Sequence, residues 1–436
     1  MAEPLSFETL ASREYVLSSA ENFVLYVLLE AIAQGTGGAG GGSRLPLNLG
    51  LVIDRSGSMY DERRLEFVIE AVKFLAENVA PEDKVAIVAF ADRAKVIVGS
   101  DEIHDKGAVR RAIEDIDLLE IGGGTQMALG MRAAIDEVKK NLAPNRLNRV
   151  LVLTDGQTYE ETACIDLANQ NRDQMSFSAM GVGVEFNEKL LMRISQDSHG
   201  KYHFIGDPAE IPGIFEDELA GLRAVSVRNG RIEVTLAQGV QVREAFRASP
   251  EIYSLGAPLV GDDRHISYEI GDLEAGVPGS VLLTLVLPPR KPGPVRILQS
   301  NLRYEVPSVG EQSLGRDLTV EYTLDRTLTG KVNGRVMNLV DQVSIAKMQS
   351  RAEEELKAGN VDRATRLLSN AIQGTQRLGN VKATQALVGL MDQVKKTQTL
   401  QTKAAKTTLL QAQAVVRKTQ MLDPDALKDF SKPDQG

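Results

Sequence analysis

The chain has 436 residues, a formal net charge of −9, 43% apolar and 25% charged residues, no Trp and one cysteine, Cys164. That length exceeds one ordinary hydrophobic core, so two or three domains are expected, and the lone cysteine excludes an internal disulfide framework. No run of about 18 apolar residues marks a membrane span, and the N-terminal MAEPLSFETLASREYVL lacks the basic-then-apolar pattern of a signal peptide, so a cytoplasmic protein is expected.

Residues 14–33, EYVLSSAENFVLYVLLEAIA, read as one or two strands, although the periodicity of NFVLYVLLEA also allows a helix. Gly35 to Arg44, GTGGAGGGSR, reads as a flexible linker. A phosphate-binding loop would need Gly-Lys-Ser/Thr entering a helix, whereas Arg44 leads into Leu45-Pro46.

From Leu47 strand and helix alternate. LNLGLVID is a buried strand, and DERRLEFVIEAVKFLAENV an amphipathic helix with Leu65, Val68, Ile69, Val72 and Leu75 on one face. KVAIVAFA and AKVIVG are strands separated by Asp92 and Arg93 alone, a gap that fits a hairpin and predicts one antiparallel edge strand. Two helices, KGAVRRAIEDIDLL and QMALGMRAAIDEVKKNL, flank GGGT; NRVLVLTDG is a further buried strand. ETACIDLANQNR (helix), MSFSAMGVGV (strand), NEKLLMRISQDS (helix), KYHFI (strand) and PAEIPGIFEDELAGLR (helix) complete the series. The alternation predicts an α/β fold: a doubly wound, mostly parallel sheet over residues 46–224.

After Ala224 short β-branched segments between Gly/Pro turns predict an antiparallel β-sandwich over 225–330. Strands in 1–45 are expected to complete it, which would make the α/β domain an insertion. From Asn333 the chain reads as helical, a hairpin region over 331–422. Gly359-Asn360 and Gly379-Asn380 are helix stops 20 residues apart. The pattern resembles tetratricopeptide-like helical hairpins, with too few units for a solenoid. Residues 331–436 carry 17 Lys+Arg against 10 Asp+Glu, a charge of +7 that leaves −16 for the rest. A solvated helical face explains this better than nucleic-acid binding, because no aromatic precedes Phe430 in the tail. The final 423–436 reads as a disordered end.

Three loops carry the chemistry. They are Asp54-Arg55-Ser56-Gly57-Ser58, Gly122-Gly123-Gly124-Thr125 and Thr154-Asp155-Gly156. Two would end adjacent central strands and the third opens the helix between, so all three should converge on the crevice outside the strands' carboxyl ends. Ser56, Ser58 and Thr125 offer neutral hydroxyl oxygens, and Asp54 and Asp155 offer carboxylates. That is a donor set for a hard cation such as Mg²⁺, with Mn²⁺ or Ca²⁺ as alternatives. Asp-x-Ser-x-Ser alone could equally be a helix cap.

In this order, Asp54, Ser56, Ser58, Thr125 and Asp155 resemble the metal-ion-dependent adhesion site of von Willebrand factor A-type domains. The flanking VIDRSGSM and LTDG are similar to bacterial members and to inter-alpha-trypsin inhibitor heavy chains. The resemblance implies that the hydroxyls bind the ion directly and the aspartates mostly through water. It also implies that a partner protein's Glu or Asp completes the shell and that the module is not an enzyme. An adaptor of a AAA+ ATPase is an alternative by analogy, and the helical tail could mediate oligomerisation. A metal-dependent phosphatase fits less well, because Ser56 stands where an acid Asp would be needed. Of the four histidines, His199 and His203 are four apart but separated by Gly200, a poor zinc pair. Cys164, among apolar neighbours, is expected to be a small buried hydrophobe.

Overall fold

The computed structural model describes residues 5–34, 45–101, 103–256, 264–307, 309–397 and 402–420. The expected Gly-rich linker and the expected disordered C-terminus lie outside the described residues. Three strands precede the linker: β1 (Leu5–Ala11), β2 (Tyr15–Leu17) and β3 (Phe23–Ala33). β3 is therefore a strand where periodicity left a helix open. β1 adds to the sequence reading; its Leu5 and Phe7 alternate inward and are buried.

The alternating region folds as β4 (Leu47–Asp54), α1 (Arg64–Asn78), β5 (Lys84–Phe90), β6 (Ala94–Val98), α2 (Lys106–Glu114), α3 (Met127–Lys140), β7 (Leu147–Thr154), α4 (Glu161–Asn171), β8 (Ser176–Val182), α5 (Glu188–Asp197), β9 (Tyr202–Ile205) and α6 (Ile211–Ala224). Its sheet has the order β6-β5-β4-β7-β8-β9. Every pair is parallel except β5–β6, the expected antiparallel edge. β4 and β7 are buried along their whole length, as central strands covered on both faces must be. The chain leaves β4 toward β5 and returns to β7 on its other side, so strand order reverses between β4 and β7. Small residues bring α3 close to this point. A Cβ on Gly130 would lie 2.8 Å from Phe90 Cδ1, and one on Gly50 3.0 Å from Val138 Cγ2. The helix expected from Asp61 starts only at Arg64. Asp61 is extended, and Glu62 (φ 53°) and Arg63 (φ 59°) are left-handed.

The remaining strands are β10 (Val225–Leu236), β11 (Gln241–Ser249), β12 (Tyr253–Ser254), β13 (His265–Glu274), β14 (Pro278–Leu287), β15 (Gly293–Val306) and β16 (Gly310–Thr323). They form two five-stranded sheets with the N-terminal strands, β1-β3-β14-β11-β12 and β13-β10-β15-β16-β2. The β1–β3, β3–β14, β14–β11, β11–β12, β10–β15 and β15–β16 pairs are antiparallel, and β16–β2 is parallel. Leu25, Val27 and Leu29 of β3 share a core with Ile232, Val234 and Leu302 of the other sheet. Leu28, on the opposite face of β3, packs with Leu282, Val336, Val340 and Val343.

Those last residues belong to the first of four helices, α7 (Gly334–Lys357), α8 (Val361–Arg377), α9 (Val381–Thr397) and α10 (Lys403–Arg417). Gly359 (φ 80°) and Gly379 (φ 66°) adopt the left-handed conformation that ends a helix. Arg335, at the start of α7, forms ion pairs with Glu8 (2.8 Å) and with the buried Glu30, whose other oxygen accepts the Ser280 hydroxyl at 2.9 Å. The chain divides into two units, Gly38–Ser226 and the combination of Met1–Gly37 with Val227–Gly436.

Candidate metal centre

Asp54 is the last residue of β4 and is fully buried. Its Oδ1 accepts the Ser56 N–H at 2.7 Å and its Oδ2 the Thr154 hydroxyl at 2.5 Å, which ties the ends of β4 and β7 together. Burial pushes the Asp54 carboxyl up to about 6, against the hydrogen bonds from Thr154 and Ser56 that favour the anion; the charge of Asp155 adds to the rise. Asp54 has no cationic partner among the described residues, so this buried carboxylate lacks the compensation that buried charges normally have.

Ser56 occupies the cap position of a 3-10 turn over Gly57–Arg63, yet its side chain makes no capping hydrogen bond. The buried Ser56 Oγ instead lies 3.2 Å from Ser58 Oγ, and the Ser58 hydroxyl donates to Asp155 Oδ1 at 2.7 Å. The cap alternative thus leaves the hydroxyl unexplained. The Gly122–Thr125 loop joins through its backbone: Gly57 N–H donates to Gly123 O at 3.1 Å, and Gln126 N–H to Ala91 O at 2.9 Å. Asp92 Oδ2 accepts the Gly123 N–H at 3.1 Å, beside Gly122 at φ 89°. Thr125 faces the Asp155-Gly156 turn so closely that a Cβ on Gly156 would sit 3.1 Å from Thr125 Oγ1. The structure therefore brings Asp54, Ser56, Ser58, Thr125 and Asp155 into one place.

Arg64, Thr154 and Asp92 escaped assignment from sequence. Arg64 Nη1 meets Asp155 Oδ2 at 2.5 Å with both side chains buried, and its Nη2 meets Glu62 at 2.9 Å. The signal was present. Arg64 lies four residues before Val68 and so falls on the apolar stripe of α1, where a charge needs a partner. Asp92 was visible only as one of two hairpin residues.

The donor set fits a hard cation, with three hydroxyls and two buried carboxylates, of which Asp54 has no counter-ion among the described residues. Among the described residues no group of three or more His, Cys, Asp or Glu is arranged to hold a metal. His203 Nε2 lies 3.2 Å from Glu218 instead, and His199 sits at a left-handed position (φ 61°) before the strand. Cys164 is buried, and burial, then the charges of Glu160 and Glu161, pushes its thiol up to about 12.

Comparison with known proteins bears on the same residues. Residues 48–217 match the von Willebrand factor type A domain, and residues 334–418 match the Sll0103-like C-terminal alpha-helical domain. An uncharacterized protein of Synechocystis sp., sll0103, is 28% identical over 75% of this chain and 78% of its own length. YfbK of Escherichia coli is 24% identical over 55% of this chain, which spans only 42% of that relative. The solved von Willebrand factor type A structure from Catenulispora acidiphila, 20% identical, covers 96% of this chain and 97% of its own with a TM-score of 0.78. No helix among the described residues is long and apolar enough to cross a membrane.

Proposed function

Residues 48–217 being a von Willebrand factor type A domain, we propose that the chain is a protein-interaction module that grips an acidic residue of a partner through a divalent cation, Mg²⁺ in the first instance. The observation that carries this is the buried, uncompensated Asp54 beside two serine hydroxyls, neither explained by capping. Ser56, Ser58 and Thr125 would hold the ion directly, with Asp54 and Asp155 behind them. When bound, such an ion supplies an electrophilic position for an outside oxygen.

Each residue of this chain has a distinct task in that reading. Thr154 and the Ser56 N–H fix both oxygens of Asp54, so its charge is aimed rather than free to rotate. Asp155 orients Ser58 by accepting the hydrogen bond its hydroxyl donates, which leaves lone pairs of the Ser58 oxygen for a cation. The Gly57–Gly123 bond holds the first and second loops in register. We read no catalytic role here. The serine hydroxyls bond to each other and to Asp155, and the one thiol is held protonated. A cytoplasmic setting, expected from the single cysteine, belongs to the same reading.

Affinity capture tests it. Wild type should retain a partner in Mg²⁺ and release it in EDTA, and Asp54→Ala combined with Ser56→Ala should fail to capture in either buffer. Capture unaffected by both EDTA and the double substitution would contradict a metal-bridged contact.

A further inference from the structure

Among the described residues, Arg64 places a buried guanidinium at this site, whereas the partly exposed Arg55 of the first loop is turned to the Gly122 and Asp117 carbonyls. The Arg64 guanidinium occupies Asp155 Oδ2 at 2.5 Å, while the other oxygen of that carboxylate takes the Ser58 hydroxyl. The Arg64 side chain is 5% exposed and that of Asp155 fully buried. The guanidinium is boxed in, since a Cβ on Gly183, a left-handed glycine after β8, would come within 3.3 Å of Nη2. The remaining side is closed by Glu62 at 2.9 Å, half exposed. Glu62 reaches it only because Glu62 and Arg63 take consecutive left-handed conformations, which are costly for residues with a Cβ. The chain thus accepts local strain to place this charge and to flank it with a second carboxylate.

Resting on the metal-site reading above, we propose that Arg64 is a positioning residue that sets the charge of the loaded site and thereby selects an anionic partner. Arg64 cancels one of the two carboxylates. A bound divalent cation then leaves the buried groups, Asp54, Asp155 and Arg64, with one net positive charge, which an outside carboxylate neutralises; the half-exposed Glu62 at the rim is screened by solvent and offsets it only in part. Without Arg64 the loaded pocket is neutral, and the incoming carboxylate loses its electrostatic incentive. The same residue opposes the metal, since a guanidinium near the ion repels it. Arg64 therefore exchanges metal affinity for partner affinity, and its removal shifts the two in opposite directions. A merely structural arginine would weaken both together.

The test uses the full-length chain, Mn²⁺ as the metal and acetate as the carboxylate probe, read by water-proton relaxation and calorimetry. Arg64→Gln should bind Mn²⁺ about tenfold more tightly, and its Mn²⁺-loaded form should bind acetate at least about threefold more weakly. Glu62→Gln, at a half-exposed position that does not threaten folding, removes a negative charge and should move both constants the other way by about twofold. Losses of both affinities in Arg64→Gln, or a Glu62→Gln shift in the direction predicted for Arg64→Gln, would overturn the proposal. Absence of Mn²⁺ binding in wild type would instead refute the metal reading on which it rests.

Discussion

The carboxyl of Asp54 sets the energetics of the site. Folding raises it from its ordinary value of 3.8 to about 6, so the folded state holds this proton more tightly than the unfolded chain. Its favourable contribution is fully present below pH 3.8 and lost as pH rises through about 6. At neutral pH the ionised group costs the metal-free fold on the order of 3 kcal/mol. A cation on Asp54 would offset that cost. Thermal unfolding should therefore show a larger stabilisation by Mg²⁺ at pH 7.5 than at pH 5. Asp54→Asn should raise the stability of the metal-free protein at pH 7.5 by about 1–3 kcal/mol and abolish the Mg²⁺ effect. A Mg²⁺ effect equal at both pH values, or undiminished in Asp54→Asn, would contradict this. That Asp54, Ser56, Ser58, Thr125 and Asp155 lie together was legible because the first three and Asp155 stand at or just after the ends of β4 and β7, and Thr125 just before α3. Arg64 was not, because a helix pattern read for its apolar positions passes over a charge on the same stripe.

At the scale of elements, β3 shows where periodicity runs out. Leu25, Val27 and Leu29 face the second sheet while Leu28 faces α7, so both faces are apolar and the period-two signal disappears. Its partner β14 is covered in the same way. The start of α1 failed for another reason, since nothing in DERR signals two left-handed residues. β5–β6 was legible because a gap as short as Ala91 to Arg93 admits no crossover. Besides its apolar contact with Leu28 and Leu282, α7 meets the sandwich through Arg335 and the buried Glu30, a pair that only the folded chain brings together. Arg335→Ala should lower the stability of the full chain by about 3 kcal/mol, because it leaves Glu30 buried without its partner. Adding Glu30→Gln should restore most of that loss in a chemical-denaturation series. Unchanged stability of Arg335→Ala would show that the pair contributes nothing.

For the whole molecule, the chain order explains why the sandwich looked incomplete from residue 225 onward. β3 pairs with β14 over ten residues, Phe23 with Leu287 through Ile32 with Pro278, although the entire α/β unit intervenes in sequence. The parallel β16–β2 pair is likewise a long-range closure that composition does not reveal. The alternation of strands and helices, in contrast, is local and was readable element by element. In the α/β unit, five residues from three loops are proposed to form a cradle for a divalent cation. Anomalous diffraction from crystals grown with Mn²⁺ tests it most directly. One strong peak is expected within coordination distance of the Ser56, Ser58 and Thr125 hydroxyls, about 2.0–2.6 Å. Mn²⁺ peaks elsewhere, with none among these three oxygens, would contradict it.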